Sequence, residues 1–231
     1  MNSQIRLGTL YRLELLSHLS FGRNQNGRRV LDVGCHDGYV LSHLHLPIKV
    51  GVDLEPSHSL GGSNLVCGDG RFLPFQTGCF DRVYAMDVIE HVLDDGSFVA
   101  SLLRMLAPGG ALLLTTPSRD IRLNPPFLTR WISHQWGHFY RLGYTRPELE
   151  QLFQHPDFQV KITTWNAPGY RFWYLVMRAL YPVWPAAAQK ILKWVSDFDA
   201  GHIEGNEGYF ILEAYRRNDP QIHQSSNQES G

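Results

Sequence analysis

Val30-Leu31-Asp32-Val33-Gly34-Cys35-His36-Asp37-Gly38-Tyr39-Val40 is an apolar strand that runs into a glycine-containing turn and then a helix start. A strand that ends this way aims backbone N–H groups and the positive end of a helix at an anionic group, so the stretch reads as a nucleotide-type cofactor site. Gly34 and Gly38 are the positions where ligand and backbone can come close. The spacing is not the G-x-G-x-x-G of dinucleotide enzymes, so the surrounding chain has to decide what is bound.

Lys49 to Leu54 reads as a second buried strand. It places Asp53 about twenty positions after the turn, where a carboxylate meets ribose hydroxyls in such folds. Asn64 to Gly68 is a short third strand with Asp69 and Gly70 at its end, and Phe80 to Met86 a fourth that ends at Asp87. Val88 to Leu106 alternates at helical spacing until Pro108-Gly109-Gly110 stops it, and Ala111 to Thr116 is a fifth strand closed by Pro117. Strands separated by helices predict a parallel sheet with right-handed crossovers and a ligand beyond the strands' carboxyl ends. Asp32, Gly34, Asp53, Asp69 and Asp87 all fall there.

Val-Leu-Asp-Val-Gly-Cys, Gly-Val-Asp-Leu, Gly-Asp-Gly-Arg-Phe-Leu-Pro-Phe, Cys-Phe-Asp-Arg-Val-Tyr-Ala-Met-Asp-Val-Ile-Glu-His-Val and Leu-Ala-Pro-Gly-Gly-Ala-Leu-Leu-Leu-Thr-Thr-Pro follow one another over residues 28–118. In this order and spacing they resemble the motifs of class I S-adenosylmethionine-dependent methyltransferases, most closely the small-molecule type 11 group. The resemblance implies a Rossmann-like three-layer α/β sandwich, with a mostly parallel seven-stranded sheet and a helical aromatic insertion before the last strand. It also implies S-adenosyl-L-methionine as cofactor, with Asp32 near the amino group of the methionine moiety and Asp53 accepting from the ribose hydroxyls. Asp69 and Gly70 would meet the adenine amino group, Met86 would lie on its ring, and Gly34, Cys35, Gly38 and Leu54 complete the expected site. His36 stands where the family has a second glycine, so its side chain adds a contact to the cofactor carboxylate or crowds it.

The 231 residues suit one methyltransferase domain over 1–216, with a cofactor core at 28–118, recognition and cap segments at 119–206, and a tail at 217–231 of disordered composition. A formal charge of −1 gives no electrostatic footprint for nucleic acid. Cys35, Cys67 and Cys79 are few, odd in number and without metal-ligand spacing, which fits a reducing compartment. The amino terminus has no charged segment followed by a cleavable apolar run, so a cytoplasmic protein is expected.

All six tryptophans lie after residue 119, so the second half reads as the part that recognises an acceptor. Leu10 to Leu19 is a helix expected over the cavity mouth, as in the resembled family. Arg146 to Gln154 is a helix capped by Thr145, Gln159 to Trp165 a strand, 166–206 an insertion and Gly208 to Tyr215 the last strand. Within the insertion, Arg171, Tyr174, Arg178 and Tyr181 recur at helical spacing opposite Phe172, Leu175, Val176 and Ala179, and a second amphipathic stretch runs from Ala186 to Val195. These helices either bury their apolar faces as a lid or lie in a lipid headgroup layer, a peripheral membrane contact through 170–195.

Methyl transfer needs little beyond in-line approach in a water-poor pocket, so positioning supplies most of the rate. His134, His138 and Tyr140 are the candidates for orienting or deprotonating a small, fairly apolar or aromatic, even lipid-like acceptor. Asp87, Glu90 and His91 share one face if a helix begins by Asp87, a place where some methyltransferases hold a divalent ion; no metal is assigned, because the spacing falls short of an H-E-x-x-H site. Two other classes stay open: a non-catalytic S-adenosylmethionine-binding regulatory protein, and an NAD(P)-dependent oxidoreductase, which the missing third glycine disfavours.

Overall fold

The computed structural model describes residues 7–19, 21, 27–57, 64–135, 140–202 and 208–218. Its strands are β1 (Arg29–Val33), β2 (Ile48–Asp53), β3 (Asn64–Cys67), β4 (Phe80–Met86), β5 (Leu106–Pro117), β6 (Phe158–Trp165) and β7 (Tyr209–Arg216). They form one sheet in the order β3-β2-β1-β4-β5-β7-β6. The first five run parallel, and β7 is antiparallel to both β5 and β6. The order reverses between β1 and β4, and a crevice opens beyond the carboxyl ends at such a reversal.

The helices are α1 (Leu7–His18), α2 (Tyr39–Ser42), α3 (Asp95–Met105), α4 (Thr129–Gln135), α5 (Arg146–Leu152), α6 (Pro168–Leu180) and α7 (Pro185–Asp199). Side chains alternate across a strand, so the central strands feed two cores. Val30, Tyr84, Leu113 and Ile211 join α1, α6 and α7 on one face, while Leu31, Val83, Leu112 and Leu212 join α3 and α5 on the other.

Two expectations along the chain change. The helix expected from Val88 begins only at Asp95, because Asp94 caps it by accepting the Ser97 N–H at 3.0 Å. Asp87 adopts φ 53° and Ile89–His91 form a 3-10 turn, so Asp87, Glu90 and His91 are not one α-helical face. Pro108-Gly109-Gly110 does not separate helix from strand either; β5 runs through it, beside a register shift in its pairing with β4.

The insertion folds as a helical hairpin whose closure is polar and buried. Asp199, at the end of α7, accepts the N–H groups of Gly169 (2.7 Å) and Tyr170 (2.9 Å) in the first turn of α6. A carboxylate there satisfies donors that a helix start leaves open and meets the positive end of its dipole. Tyr11 of α1 donates to the same carboxylate at 2.9 Å and accepts from the Trp165 indole at 2.8 Å. Burial raises the Asp199 carboxyl above its ordinary range, and the two backbone N–H groups and Tyr11 oppose that rise.

α7 buries Ala188, Leu192 and Val195 against the core, while α6 turns its tyrosine face inward. Tyr170, Tyr174, Met177 and Tyr181 are buried, whereas Phe172, Val176 and Ala179 face outward. Among the described residues no helix is long and apolar enough to cross a membrane.

Candidate functional site

A cavity of about 1190 Å³ lies beyond the carboxyl ends of the parallel strands. Its walls include Asp32, Gly34, Cys35, His36, Asp53, Leu54, Asp69, Gly70 and Met86, all expected from the sequence. Gly38 is not among the lining residues; it is the left-handed residue (φ 72°) before α2. Gly34 has φ 82°, and a Cβ there would stand 2.2 Å from Val88 Cγ2. A side chain at Gly34 is therefore excluded both by backbone and by space.

Asp53 is held by its own loops. The His36 N–H donates to Oδ2 at 2.9 Å and the Glu55 N–H to Oδ1 at 3.0 Å. A carboxylate has about four acceptor sites, so each oxygen keeps capacity for a ligand hydroxyl. His36 stands at φ 51°, a conformation that costs a non-glycine residue and explains why glycine suits this position. Its ring is 43% exposed, and its backbone is what grips Asp53.

Asp32 is 3% exposed, and burial pushes its carboxyl up to about 7; Arg12 opposes the shift and Asp53 adds to it. A buried carboxylate raised in this way favours a cationic partner, because an added positive charge stabilises its ionised form. Asp69 is held low by the Arg71 guanidinium, which donates to both carboxylate oxygens. Met86 is buried, and burial also pushes the Cys35 thiol well up, making it a packing group rather than a nucleophile.

The other end of the cavity is built by distant side chains. Arg12 of α1 donates from Nε and Nη2 to Asp87 Oδ2, both at 2.8 Å, and Thr115 donates to Asp87 Oδ1 at 2.8 Å. Burial lowers the Arg12 guanidinium, and the Asp87 charge and hydrogen bond, with the Glu90 charge, together more than offset this. Glu90 is fully buried and accepts from Thr116 at 3.0 Å; burial, then the nearby Asp87 charge, raises its carboxyl. Tyr170, Tyr174 and Tyr181 on and beside α6, with Tyr209 on β7, add an aromatic wall, and Tyr11 stacks on Tyr170 at 4.0 Å.

Leu7, Gly8, Thr9 and Arg12 line this end, which places α1 at the mouth. His91 lines it too, as does His134, exposed on α4. Tyr140 is 61% exposed and is not among the lining residues. His138 lies outside the described residues. Arg12, Tyr170 and Tyr209 were not singled out by the sequence reading; the one signal was Arg12 as a lone cation within Leu10-Tyr11-Arg12-Leu13. Among the described residues no group of three or more His, Cys, Asp or Glu side chains is placed to hold a metal ion.

A family profile described as a methyltransferase domain matches residues 4–161. The chain belongs to this methyltransferase family. Among its relatives is a ubiquinone biosynthesis O-methyltransferase of Rhodopseudomonas palustris, 28% identical over 146 residues that cover 54% of this chain and 56% of that protein. The chloroplastic tocopherol O-methyltransferase of Arabidopsis thaliana is 25% identical over 190 residues, covering 72% of this chain and 51% of the relative. The chain thus spans about half the length of these relatives. Among solved structures, phosphoethanolamine N-methyltransferase 2 of Haemonchus contortus, in complex with phosphomonomethylethanolamine and S-adenosylhomocysteine, superposes with a TM-score of 0.60 at 16% identity, covering 94% of this chain and 58% of that one. At that identity the likeness concerns the fold, and the methyltransferase family's Rossmann-like sheet is what the two share.

Proposed function

We propose that the chain is an S-adenosylmethionine-dependent methyltransferase acting on a small, fairly apolar or aromatic acceptor. The observation that carries this reading is the pairing, in one cavity, of Asp53 at the end of β2 with the glycine turn after β1. Pockets for drug-sized ligands run to about 1000 Å³, so a cavity of about 1190 Å³ has room for a nucleoside and a second small molecule. When bound, the cofactor supplies an electrophilic methyl group on a sulfonium.

The donor set fits that group. Asp53 would accept from the ribose hydroxyls, Asp32 would face the ammonium, and Met86 and Leu54 would cover the base. Asp69, although tied to Arg71, keeps acceptor capacity toward an exocyclic amine. At the other end the tyrosine wall would hold an aromatic or polyisoprenoid-like acceptor by burying its apolar surface. Glu90, with its raised proton affinity, or His134, both lining the cavity, would take a proton from an acceptor hydroxyl, and His138 remains a candidate for the same role. Arg12 and Thr115 hold Asp87 fixed between α1 and β5.

The ubiquinone biosynthesis and tocopherol O-methyltransferases among its relatives support an oxygen acceptor on an apolar ring. Incubating the protein with methyl-labelled cofactor and a panel of prenylated phenols and catechols tests the reading. Label in a phenol ether supports it, and cofactor binding without transfer to any extractable cellular compound leaves the regulatory-protein reading in its place.

A further inference from the structure

Helix α6 is apolar on both sides, which a helix covering its own core does not require. Its inward side is the tyrosine wall described above. Its outward side carries Phe172, 59% exposed, with Val176 and Ala179, and the turn into α7 continues this surface through Val183 and Trp184, 82% and 64% exposed. Aromatic contacts carry it across to α7: Phe172 meets Trp173, Trp173 meets Trp194, and Trp194 stacks on Phe198, with ring centroids 5.6, 6.4 and 6.3 Å apart. One ridge therefore spans both helices on the solvent side.

Charge identifies what this ridge faces. The hairpin, residues 166–199, carries Arg171, Arg178, Lys190 and Lys193 against one exposed carboxylate, Asp197, which together with Glu14 pairs Lys193, and the buried Asp199, although the whole chain has a formal charge of −1. A second copy of the chain would bring the same cations against themselves, because a two-fold interface pairs a patch with its own image. An anionic lipid surface supplies countercharge for the remaining excess of cations, Arg171, Arg178 and Lys190, and takes up exposed Trp and Phe at headgroup depth. Arg178 donates to the Tyr174 hydroxyl at 3.2 Å and, with Tyr181 and Pro182, lines the cavity at the turn where Val183 and Trp184 begin the ridge.

We propose that the outer face of the α6–α7 hairpin docks on an anionic bilayer, so that the cavity opens at the lipid surface and receives an acceptor dissolved there. The docking stands on the ridge and its charge; the entry route rests on the acceptor reading given above.

The test is sedimentation of the full chain with vesicles of phosphatidylcholine alone or mixed equally with phosphatidylglycerol. Partition into the phosphatidylglycerol vesicles is expected to exceed that into phosphatidylcholine by about tenfold or more, and to fall as salt rises. The double substitution Phe172→Gln and Val176→Gln should cut partition about tenfold. Calorimetric binding of S-adenosylhomocysteine should not change, since neither side chain lines the cavity. Val183→Ser with Trp184→Ser, in the turn outside the packed helices, reads the same face should the first variant fold poorly. A chain that stays in the supernatant with both vesicle types overturns the proposal. So does a folded variant that pellets as the parent does, or a dimer that the same substitutions split without any vesicle binding. Vesicle binding without methyl transfer would sink the acceptor reading alone, and cofactor binding without vesicle binding would sink the docking alone.

Discussion

At the end of β2, Asp53 is held by backbone N–H groups 17 and 2 positions away; at the end of β4, Asp87 is held by Arg12 and Thr115, 75 and 28 positions away. Both carboxylates line one cavity. The first is fixed by the local course of the chain, so no side-chain substitution elsewhere releases it directly. The second depends on α1 crossing the sheet and on a hydroxyl of β5, so it can be disturbed from a distance. The end proposed for the cofactor is built by strand and turn, and the end proposed for the acceptor by tertiary packing.

The largest expected effect separates the two ends at once. With Asp53 in its proposed role, Asp53→Ala would remove two charge-assisted hydrogen bonds to the sugar, and affinity for S-adenosylhomocysteine should fall about a hundredfold or more by calorimetry. It should leave a helical protein by circular dichroism. Arg12→Ala acts on the other end: it leaves Asp87 without its guanidinium, and unfolding in urea should show a loss of about 2 kcal/mol. Cofactor affinity should change far less than in Asp53→Ala. If the two substitutions weakened cofactor binding equally, the division between the ends would be wrong.

Proton linkage sharpens the same contrast. Asp32 has a folded value of about 7 against an ordinary 3.8, so between these values the folded chain holds a proton that the unfolded chain has released. Its contribution to stability is complete below the ordinary value and is lost as pH rises through about 7, at no more than about 1.4 kcal/mol per pH unit. Glu90 shifts in the same direction. Asp69, Asp81, Asp94 and Glu148 shift the other way, and their contributions are lost only as pH falls through the ordinary carboxylate range and below. Free protein should therefore melt higher at about pH 6 than at about pH 8. The rise in melting temperature caused by S-adenosylhomocysteine should be larger at the higher pH, where Asp32 is ionised to meet the ammonium. Equal ligand-induced shifts at both pH values would remove the assigned partner of Asp32.

The smallest effect belongs to the base of the cap. Tyr11→Phe removes a donor to Asp199 and an acceptor from Trp165, at a cost of about 1–2 kcal/mol in urea unfolding. Unchanged stability would mean that the buried junction between α1, β6 and α7 re-forms without the hydroxyl.

The same contrast explains what could be read in advance. β1, β2, β4 and β5 announce themselves as apolar runs because the sheet is covered on both faces, and their carboxyl-end residues follow from parallel topology. Asp32, Asp53 and Met86 were legible for that reason. Arg12, Tyr170 and Tyr209 were not, because nothing local distinguishes a cavity-facing arginine or tyrosine from a surface one; α1, α6 and the antiparallel return of β7 bring them together. The boundary after β4 was misread because the apolar alternation of Val88 to Leu106 continues across a 3-10 turn and a second cap at Asp94. That boundary is also what takes Asp87, Glu90 and His91 off a shared α-helical face. In the hairpin, the helical period identified the two faces of α6 but not which one turns inward, since tyrosines serve a cavity wall as well as phenylalanines serve a core.

The most direct measurement of the central claim is calorimetric titration of the unmodified chain with S-adenosylhomocysteine and, separately, with NAD. The account predicts stoichiometric binding of the first in the micromolar range and none of the second. Heat from NAD with none from S-adenosylhomocysteine would contradict it.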